Sequence, residues 1–381
     1  MKTIRVLHLA SFIGNIGDNA NHYGSRIAFA DYSDYFKFEF TNEEIREYYW
    51  KHKQFNQDFV NKCNSYDLVV IGGGNYLEFH IHHSRTGTSI DIPPELIKKI
   101  NPPIVFFSLG LECGLGYEEK TFSKSKNFID YLLANPSKYF LSLRNDGAHQ
   151  NLMKYFGKDY VNKFTKIPDS AFLLNTQQSS YTLSSKKKYI GINLAGDSLE
   201  IRFKSNHNLD KFISELRNFI KKIVYEDSKN IIFFSHIFSD YDLNQRVIQS
   251  LPDDIRRSNI IIAPLIPGHS GMKEVFGLYS QCEMIFANRF HSNVCSIALG
   301  IPVIGLYNFS QIDLFYNEID NREMLIDLNS DGLHIKFLDK YALITSETAG
   351  VIAKQNKILS KIKQEHKEGM DNMINWLNDK L

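Results

Sequence analysis

The sequence predicts an α/β protein with two Rossmann-like domains, each built on a parallel β-sheet. Short apolar runs of strand type alternate with stretches of helical spacing along most of the chain, which is the pattern of a doubly wound parallel sheet. With 381 residues, the chain exceeds the usual size of a single hydrophobic core. A polar stretch at 177–188 interrupts the alternation, and the pattern starts again after it.

Composition and charge exclude several classes of protein. A formal net charge of +1 gives no basic surface for nucleic acid, and no apolar run approaches the roughly 18 residues of a membrane-spanning helix. The first residues enter a strand pattern without the apolar core of a signal peptide, so we expect the protein to act in the cytoplasm. The four cysteines lack zinc or CxxC spacing, and we expect reduced thiols.

The first strand is predicted at residues 4–9, and a glycine-punctuated turn after it leads into a helix. This turn matches neither the dinucleotide pattern GxGxxG nor the phosphate loop of nucleotide hydrolases. Gly14 and Gly17 let the backbone approach a ligand closely, and Asn15 between them is a candidate ligand contact. Asp18 has two interpretations, either a cap of the following helix or a carboxylate that takes a proton from a sugar hydroxyl.

A second buried strand is predicted at residues 66–71, and three glycines follow it. Consecutive glycines after a parallel strand permit positive φ angles and close backbone approach. Gly73, Gly74 and the following Asn75 are therefore candidate ligand contacts.

The segment 78–83 raises the question of a metal site. Glu78, His80 and His82 would share one face of an extended segment, which is a possible ligand set. No fourth ligand or supporting partner is identifiable, so we predict no metal. We interpret the segment as a polar loop that faces substrate, with His83 as a candidate contact.

Two further strands are predicted in the first half, at residues 104–109 and 139–143. The second of them places Arg144 at its carboxyl end, ahead of a helix. An arginine in this position can bind an anion, although a single such residue is more often part of a surface ion pair.

The second half repeats the alternation of strands and helices. The glycine-containing strand end near 193–197 and the polar turn 236–242 should line the same cleft, which makes Asn193 and His236 candidate contacts. Strands are predicted at 189–194, 231–235 and 260–263, and helices at 209–225 and 271–281.

The stretch 283–307 is predicted as one βαβ unit, with a strand at 284–287, a helix at 292–299 and a strand at 303–306. Its turn from strand to helix carries Arg289 and His291, at the end of a sheet where ligands commonly bind. The amides of a helix start and a guanidinium favour an anion, and the imidazole can act as a general acid near neutral pH. The alternative is that Arg289 caps a loop and His291 is a hydrogen-bonded structural residue.

The chain ends in a helical pattern at 351–381 with one apolar and one basic side. We predict an N-terminal domain at 1–180, a second domain at 186–345 and a C-terminal helix at 346–381 that returns to the N-terminal domain and packs across both. The basic side suits a solvated surface; the alternative is peripheral contact with the inner face of a membrane.

Taken together, these motifs resemble the polysaccharide pyruvyltransferases over residues 5–310. The resemblance implies a GT-B-like fold, phosphoenolpyruvate as donor, and a glycan acceptor, nucleotide-linked or lipid-linked, that receives a pyruvate ketal. It also implies that Arg144 and Arg289 bind the donor and that His291 is catalytic. The motifs that carry it are GNIGD from Gly14, the triple glycine at 72–74, Arg144, PDSAF from Pro168, GIN from Gly191, RFH from Arg289, GIP from Gly300, and Tyr307.

The mechanism that joins these observations needs neither a metal nor a redox cofactor. Arg144 and Arg289 hold the anionic groups of phosphoenolpyruvate, His291 protonates its methylene carbon, and Asp18 is the candidate base for the sugar hydroxyl. Two alternatives stay open, because a fold does not decide a function. One is a glycosyltransferase that uses a nucleotide sugar, and the other is a glycan-binding protein without catalysis.

Overall fold

The computed structural model describes residues 2–175 and 177–381 and contains two parallel β-sheets with flanking helices. The chain divides into two compact units, neither of which is continuous in sequence. The first unit comprises residues 2–12, 21–173 and 362–381, and the second comprises 13–20, 174–175 and 177–361. The predicted α/β class with two parallel sheets is confirmed.

The first unit is built on a seven-stranded sheet in the order β2-β1-β3-β5-β6-β7, with β4 paired to β5. All of these pairings are parallel, and the central strands are buried along their whole length. The strands are β1 Lys2–Ala10, β2 Phe36–Glu44, β3 Leu68–Gly72, β4 Asn75–Glu78, β5 Ile104–Glu112, β6 Tyr139–Leu143 and β7 Thr165–Lys166. The helices are α1 Ile16–Ala30, α2 Arg46–Tyr49, α3 Gln57–Cys63, α4 Pro94–Ile97, α5 Glu119–Leu133, α6 Ala148–Phe156 and α7 Lys158–Val161, with a 3-10 turn at Ser170–Leu173.

The second unit has a six-stranded parallel sheet in the order β10-β9-β8-β11-β12-β13. Numbered within the unit, this order is 3-2-1-4-5-6, which is the order of the Rossmann fold. The strands are β8 Tyr189–Asn193, β9 Asn230–Phe234, β10 Ile260–Ile262, β11 Met284–Ala287, β12 Val303–Tyr307 and β13 Leu325–Asp327. The helices are α8 Leu199–Phe203, α9 Asn206–Asp227, α10 Phe238–Ser250, α11 Asp253–Ser258, α12 Gly268–Tyr279, α13 Phe290–Ala298, α14 Ser310–Glu318 and α15 Leu333–Asn378, with a 3-10 turn at Arg322–Met324.

Two helices belong partly to each unit. The first turn of α1 lies in the second unit and the rest of α1 in the first, while α15 passes from the second unit to the first after residue 361. Helix α15 contains one non-helical residue, Glu347. Its apolar side in the first unit, which includes Met370, Met373 and Leu377, is buried as its spacing predicts. Within the described residues, no helix has the length and apolar character needed to cross a membrane.

The structure corrects several sequence-based element assignments. Strand β2 was not predicted, although its phenylalanines alternate with polar residues as in a strand that is buried on one face. Strand β5 continues through Gly110 to Glu112, three residues beyond its predicted end at 109. Helix α13 begins at Phe290, two residues earlier than predicted, so His291 lies in its first turn. The chain turns after Glu78, so residues 78–83 are not one extended segment.

Candidate functional site

The second sheet brings three strand ends together where its strand order reverses. Strand β8 lies between β11 and β9, so the turns that follow these strands meet at one edge, which is where such sheets bind ligands. Asn193 at the end of β8 accepts a hydrogen bond from the Arg289 backbone N–H at 3.0 Å and donates to the Phe234 carbonyl at 3.1 Å. Because Asn193 is fully buried, its position favours holding Arg289 in place over contact with a ligand.

Arg289 lies at the start of α13 and is held by two carboxylates. Its Nε donates to Asp240 Oδ2 at 2.6 Å, and its Nη2 donates to Asp197 Oδ1 at 2.6 Å and to Asp240 Oδ1. Burial alone would lower the pKa of Arg289, but the two carboxylates raise it above its usual value. The side chain of Asp240 is fully buried, whereas that of Asp197 is 40% exposed. Asp240 is therefore the fixed anchor, and Asp197 is the partner that an incoming anion can displace.

A second guanidinium, that of Arg202 in α8, belongs to the same cluster. It is buried, and it donates from Nε to the Asp197 carbonyl at 2.9 Å and from Nη1 to Asn308 Oδ1 at 3.2 Å. Burial lowers the pKa of Arg202 against the opposing effect of Asp197. The buried Nδ2 of Asn308 has no hydrogen-bond partner within the described part of the chain. The formal charges of the two arginines are balanced by those of Asp197 and Asp240.

His291 follows two residues after Arg289 and faces the first turn of α1. Its Nδ1 lies 3.9 Å from Asp18 Oδ1, a distance at which the two groups form an ion pair when the imidazole is protonated. Gly17 packs directly on the ring, since a Cβ at this position would lie 2.5 Å from His291 Cβ and 2.7 Å from its Nδ1. Residue 17 must therefore be glycine if the imidazole is to keep this position.

The start of α1 is capped by Asn15. Its side-chain oxygen accepts a hydrogen bond from the Gly17 N–H at 2.9 Å, and its carbonyl accepts one from the Asn19 side chain at 3.0 Å. The capping role considered for Asp18 is thus filled by Asn15, and Asp18 lies inside the first turn with a side chain that is 15% exposed. The arrangement leaves the carboxylate of Asp18 next to the imidazole.

His236 lies beneath this cluster and is buried. Its Nε2 is 3.1 Å from the Tyr279 hydroxyl, which is 2.9 Å from Ser292 Oγ in the first turn of α13. Burial lowers the pKa of His236 to about 3, so this ring is neutral at pH 7. Burial also raises the pKa of Tyr279 well above its usual value, which keeps its hydroxyl protonated. The chain of hydrogen bonds supports α13, and it makes His236 a poor proton donor near neutral pH.

Arg144 belongs to the first unit, where two carboxylates also hold it. Its Nε donates to Asp146 Oδ2 at 2.7 Å and its Nη1 to Asp169 Oδ2 at 3.1 Å, and all three side chains are buried. Asn21 donates to the same oxygen of Asp169 at 3.2 Å. One guanidinium with two carboxylates carries a formal charge of −1, so this cluster attracts an anion less strongly than the balanced cluster around Arg289.

The triple glycine and Asn75 border the Arg144 cluster. Gly73 has a positive φ of 78° and its carbonyl accepts a hydrogen bond from Asn21 at 2.8 Å, while a Cβ at Gly74 would collide with the Tyr76 ring. A Cβ at Gly110 would lie 2.8 Å from Asn75 Oδ1 and 2.9 Å from Arg144 Nη2. That oxygen of Asn75 is buried and has no hydrogen-bond partner among residues 2–175 and 177–381. The glycines therefore serve packing, and the Asn75 oxygen is a buried acceptor in the neighbourhood of Arg144.

The segment after β4 does not gather its polar side chains at one point. Glu78 accepts a hydrogen bond from Ser89 at 2.5 Å, and His82 lies 3.2 Å from the Thr121 hydroxyl. His83 is exposed, and its ring centre lies 6.1 Å from that of Tyr49. The described residues contain no group of three histidine, cysteine or acidic side chains arranged to hold a metal ion.

Sequence reasoning did not identify three members of the site. Asp240 lies in the predicted polar turn, but only the order of the strands shows that this turn lies beside Arg289. Arg202 follows its strand by nine residues, and nothing in the local sequence distinguishes it from a surface residue. Tyr279 ends an apolar helix and is indistinguishable there from a core residue. All three positions depend on tertiary packing.

Solved structures of other proteins share the fold of this chain at very low sequence identity. S. aureus MnaA in complex with UDP has a TM-score of 0.52 at 10% identity, covering 99% of this chain and 96% of that one. A putative UDP-N-acetylglucosamine 2-epimerase from Listeria monocytogenes has a TM-score of 0.54 at 12% identity, covering 93% and 91%. A UDP-forming alpha,alpha-trehalose-phosphate synthase from Burkholderia vietnamiensis has a TM-score of 0.55 at 7% identity, covering 99% and 97%. These likenesses establish the GT-B-like fold and nothing finer.

Sequence comparison identifies the family. No curated protein matches the chain. The family model for polysaccharide pyruvyl transferase matches residues 6–310, which include the glycine turn at the start of α1, the Arg144 cluster and the start of α13. On this match, the chain belongs to the polysaccharide pyruvyl transferase family.

Proposed function

We propose that the protein transfers pyruvate from phosphoenolpyruvate to a sugar of a surface glycan or its precursor, forming a pyruvate ketal. The observation that carries this proposal is the grouping of Arg289 and His291, at the start of α13, with Asp18 in the first turn of α1. It combines a cation for an anionic donor, an acid and a carboxylate in one unit. Membership of the polysaccharide pyruvyl transferase family supports the class of reaction.

The donor is proposed to bind through its phosphate and carboxylate at the Arg289 cluster. The positive end of the helix dipole at the start of α13 and the guanidinium of Arg289 favour an anion, and Arg202 adds a second cation. Asp197 can yield to the donor because it is partly exposed, while Asp240 keeps Arg289 oriented. Arg144 is proposed as a further donor contact, and its two buried carboxylates predict a smaller contribution.

His291 is proposed to donate the proton and Asp18 to receive one. Because Nδ1 faces Asp18, Nε2 is the atom that can protonate the methylene carbon of phosphoenolpyruvate. The carbon that bears the phosphate then becomes electrophilic and forms a bond with a sugar hydroxyl oxygen, whose proton passes to Asp18. Phosphate leaves with the electrons of its bond to that carbon and takes up the proton of a second sugar hydroxyl, whose oxygen bonds to the same carbon and closes the ketal. The reaction balances without a metal or redox cofactor.

The acceptor is proposed to be a glycan or a nucleotide-linked or lipid-linked sugar. Asn75, whose buried oxygen has no hydrogen-bond partner within residues 2–175 and 177–381, is a candidate contact for a hydroxyl group. Asn15, Gly73, Gly74, Asn193 and His236 are packing or hydrogen-bonded elements of the two clusters, which favours supporting roles for them.

The test is a donor comparison on the purified protein. Phosphoenolpyruvate should raise the melting temperature, since a ligand that binds only the folded state stabilises it. With a sugar acceptor it should release phosphate, and His291→Gln should bind the donor without turnover. Transfer of a glycosyl group from a nucleotide sugar to a second sugar would instead establish the alternative function, that of a glycosyltransferase.

A further inference from the structure

A pocket in the first unit has no role in the mechanism above. It has a volume of about 270 Å³ and is lined by α2, by the loop that follows α2, and by the segment after β4. Pockets for small ligands usually have volumes of roughly 300–1,000 Å³, so this one suits a single compact group. Of the residues considered from the sequence, only His83 lies in its wall.

The wall of the pocket contains a rigid aromatic surface. The rings of Tyr48 and Phe55 stack with centres 4.0 Å apart and planes within 7°, and Phe59 packs on both rings from the side. Tyr49 also lines the pocket and is 46% exposed, whereas Trp50, the next residue, is 47% exposed and lies outside the lining. The exposed face of Tyr49, in the same wall as the Tyr48–Phe55 stack, can pack against the apolar C–H face of a sugar ring.

The charges of the pocket are mostly positive. Lys51, Lys53 and Arg85 line it together with one carboxylate, Asp91, which gives a net charge of +2 with His83 neutral. Lys53 contacts Glu43 at 2.9 Å, and Arg85 contacts Asp91 at 3.2 Å. These two cations are therefore already paired.

Lys51 differs from the other two cations. Its ammonium group has no hydrogen-bond or ion-pair partner within the described part of the chain. Its backbone has a positive φ of 63°, a conformation that few residues other than glycine adopt. The loop thus holds an uncompensated cation at a pocket with aromatic walls.

We propose that this pocket binds an acidic sugar, meaning a pyranose that carries a carboxylate or a phosphate. The aromatic wall would contact the ring and Lys51 would contact the acidic group, so neither a neutral sugar nor a free anion satisfies both. The further assignment of this sugar as a unit of the acceptor glycan rests on the proposed function. The binding itself does not require pyruvyl transfer.

The probe for binding is the fluorescence of Trp50. The chain has two tryptophans, and the indole of the other, Trp376, donates a hydrogen bond to the Pro136 carbonyl. In the full chain with Trp376→Phe, Trp50 is the only reporter. Trigalacturonic acid and glucose 1-phosphate represent the two acidic groups, and maltotriose and inorganic phosphate are the matched controls. At least one acidic sugar should give a saturable change in fluorescence. Its affinity should be about tenfold higher than that of either control, since a hydrogen bond to a charged group strengthens binding by at least that factor.

Variants in the same background locate the site. Lys51→Gln should weaken the acidic sugar about tenfold and leave maltotriose unchanged, and Tyr49→Ala should weaken every sugar. Lys186→Gln, which removes another exposed charge, in the second unit, should change neither affinity. The proposal is overturned if no acidic sugar binds, if either control binds as tightly, or if Lys51→Gln binds like its parent.

A kinetic measurement tests the link to the acceptor. Once pyruvyl transfer is measurable, Lys51→Gln should raise KM for an acidic acceptor by about tenfold, with kcat and KM for phosphoenolpyruvate little changed. Fluorescence binding without this rise in KM would refute the acceptor assignment. If the parent protein binds the acidic sugar but shows no pyruvyl transfer at all, the proposed function is refuted and the binding site is not.

Discussion

Replacing Gly17 by alanine should disable the enzyme through a single methyl group. The new Cβ would lie 2.5 Å from His291 Cβ, whereas non-bonded carbons approach to about 3.5–4.0 Å. The imidazole must therefore move by about 1 Å, and a displacement of that size in a catalytic group lowers kcat by on the order of 10²-fold. The overpacking should lower the free energy of unfolding by about 1–3 kcal/mol. The higher helix propensity of alanine offsets this loss by up to about 1 kcal/mol.

The assay is phosphate release from phosphoenolpyruvate in the presence of an acceptor, with thermal unfolding measured in parallel. Gly350→Ala is the matched control, because Gly350 is also helical and has no atom within 4 Å of its added Cβ. It should leave kcat unchanged. If Gly17 acts only through His291, the double variant with His291→Gln should be no slower than His291→Gln alone. A Gly17→Ala protein that is folded and has normal kcat would refute the assigned position of the acid.

Three further predictions follow from the charged groups. Arg289→Ala should weaken phosphoenolpyruvate binding, measured by calorimetry, by about 2–5 kcal/mol. Arg144→Ala should weaken it less, because two buried carboxylates already offset the charge of Arg144. Equal losses, or a larger loss for Arg144→Ala, would contradict this order. Asp240→Asn should lower the free energy of unfolding by about 3–5 kcal/mol, because Asp240 is buried with Arg289. Asp197 is 40% exposed, so Asp197→Asn should lower it by less than about 1 kcal/mol. A larger loss for Asp197→Asn than for Asp240→Asn would refute the role of Asp240 as the residue that fixes Arg289. Burial lowers the pKa of His366 to about 4, from about 6.5 in an unfolded chain, so the unfolded state binds the proton first as pH falls. The free energy of unfolding should therefore fall by up to about 3 kcal/mol between about pH 6.5 and pH 4, and denaturant titrations of His366→Gln should lack that loss.

The fold was predictable wherever one strand gives one continuous apolar run. Strands β6 and β11 were predicted at their observed ends, because buried parallel strands are apolar on both faces. The missed strand β2 is half exposed, with Phe36, Phe38 and Phe40 alternating with polar residues, so it lacks the continuous run by which its neighbours were found. Its alternation was nevertheless a usable signal.

The site was predictable only in part. Arg289 and His291 could be found because a strand end next to a helix start is a local feature of the sequence. The contact of His291 with Gly17 and Asp18 could not, since the two segments are separated by more than 270 residues and only tertiary structure brings them together. Sequence spacing likewise gives no sign that Arg202 shares Asp197 with Arg289.

The origin of the ketal methyl group shows whether His291 supplies the proton that turns the methylene carbon of phosphoenolpyruvate into a methyl group. Phosphoenolpyruvate and a panel of free, UDP-linked and polyprenyl-diphosphate-linked hexoses are incubated with the protein in D₂O, and the products are analysed by NMR and mass spectrometry. We predict released phosphate and a ketal whose methyl group carries one deuterium, because His291 delivers a solvent-derived proton to the methylene carbon. We predict neither product with His291→Gln. A product that keeps the vinyl group, a methyl group without deuterium, or full activity in His291→Gln would contradict this mechanism.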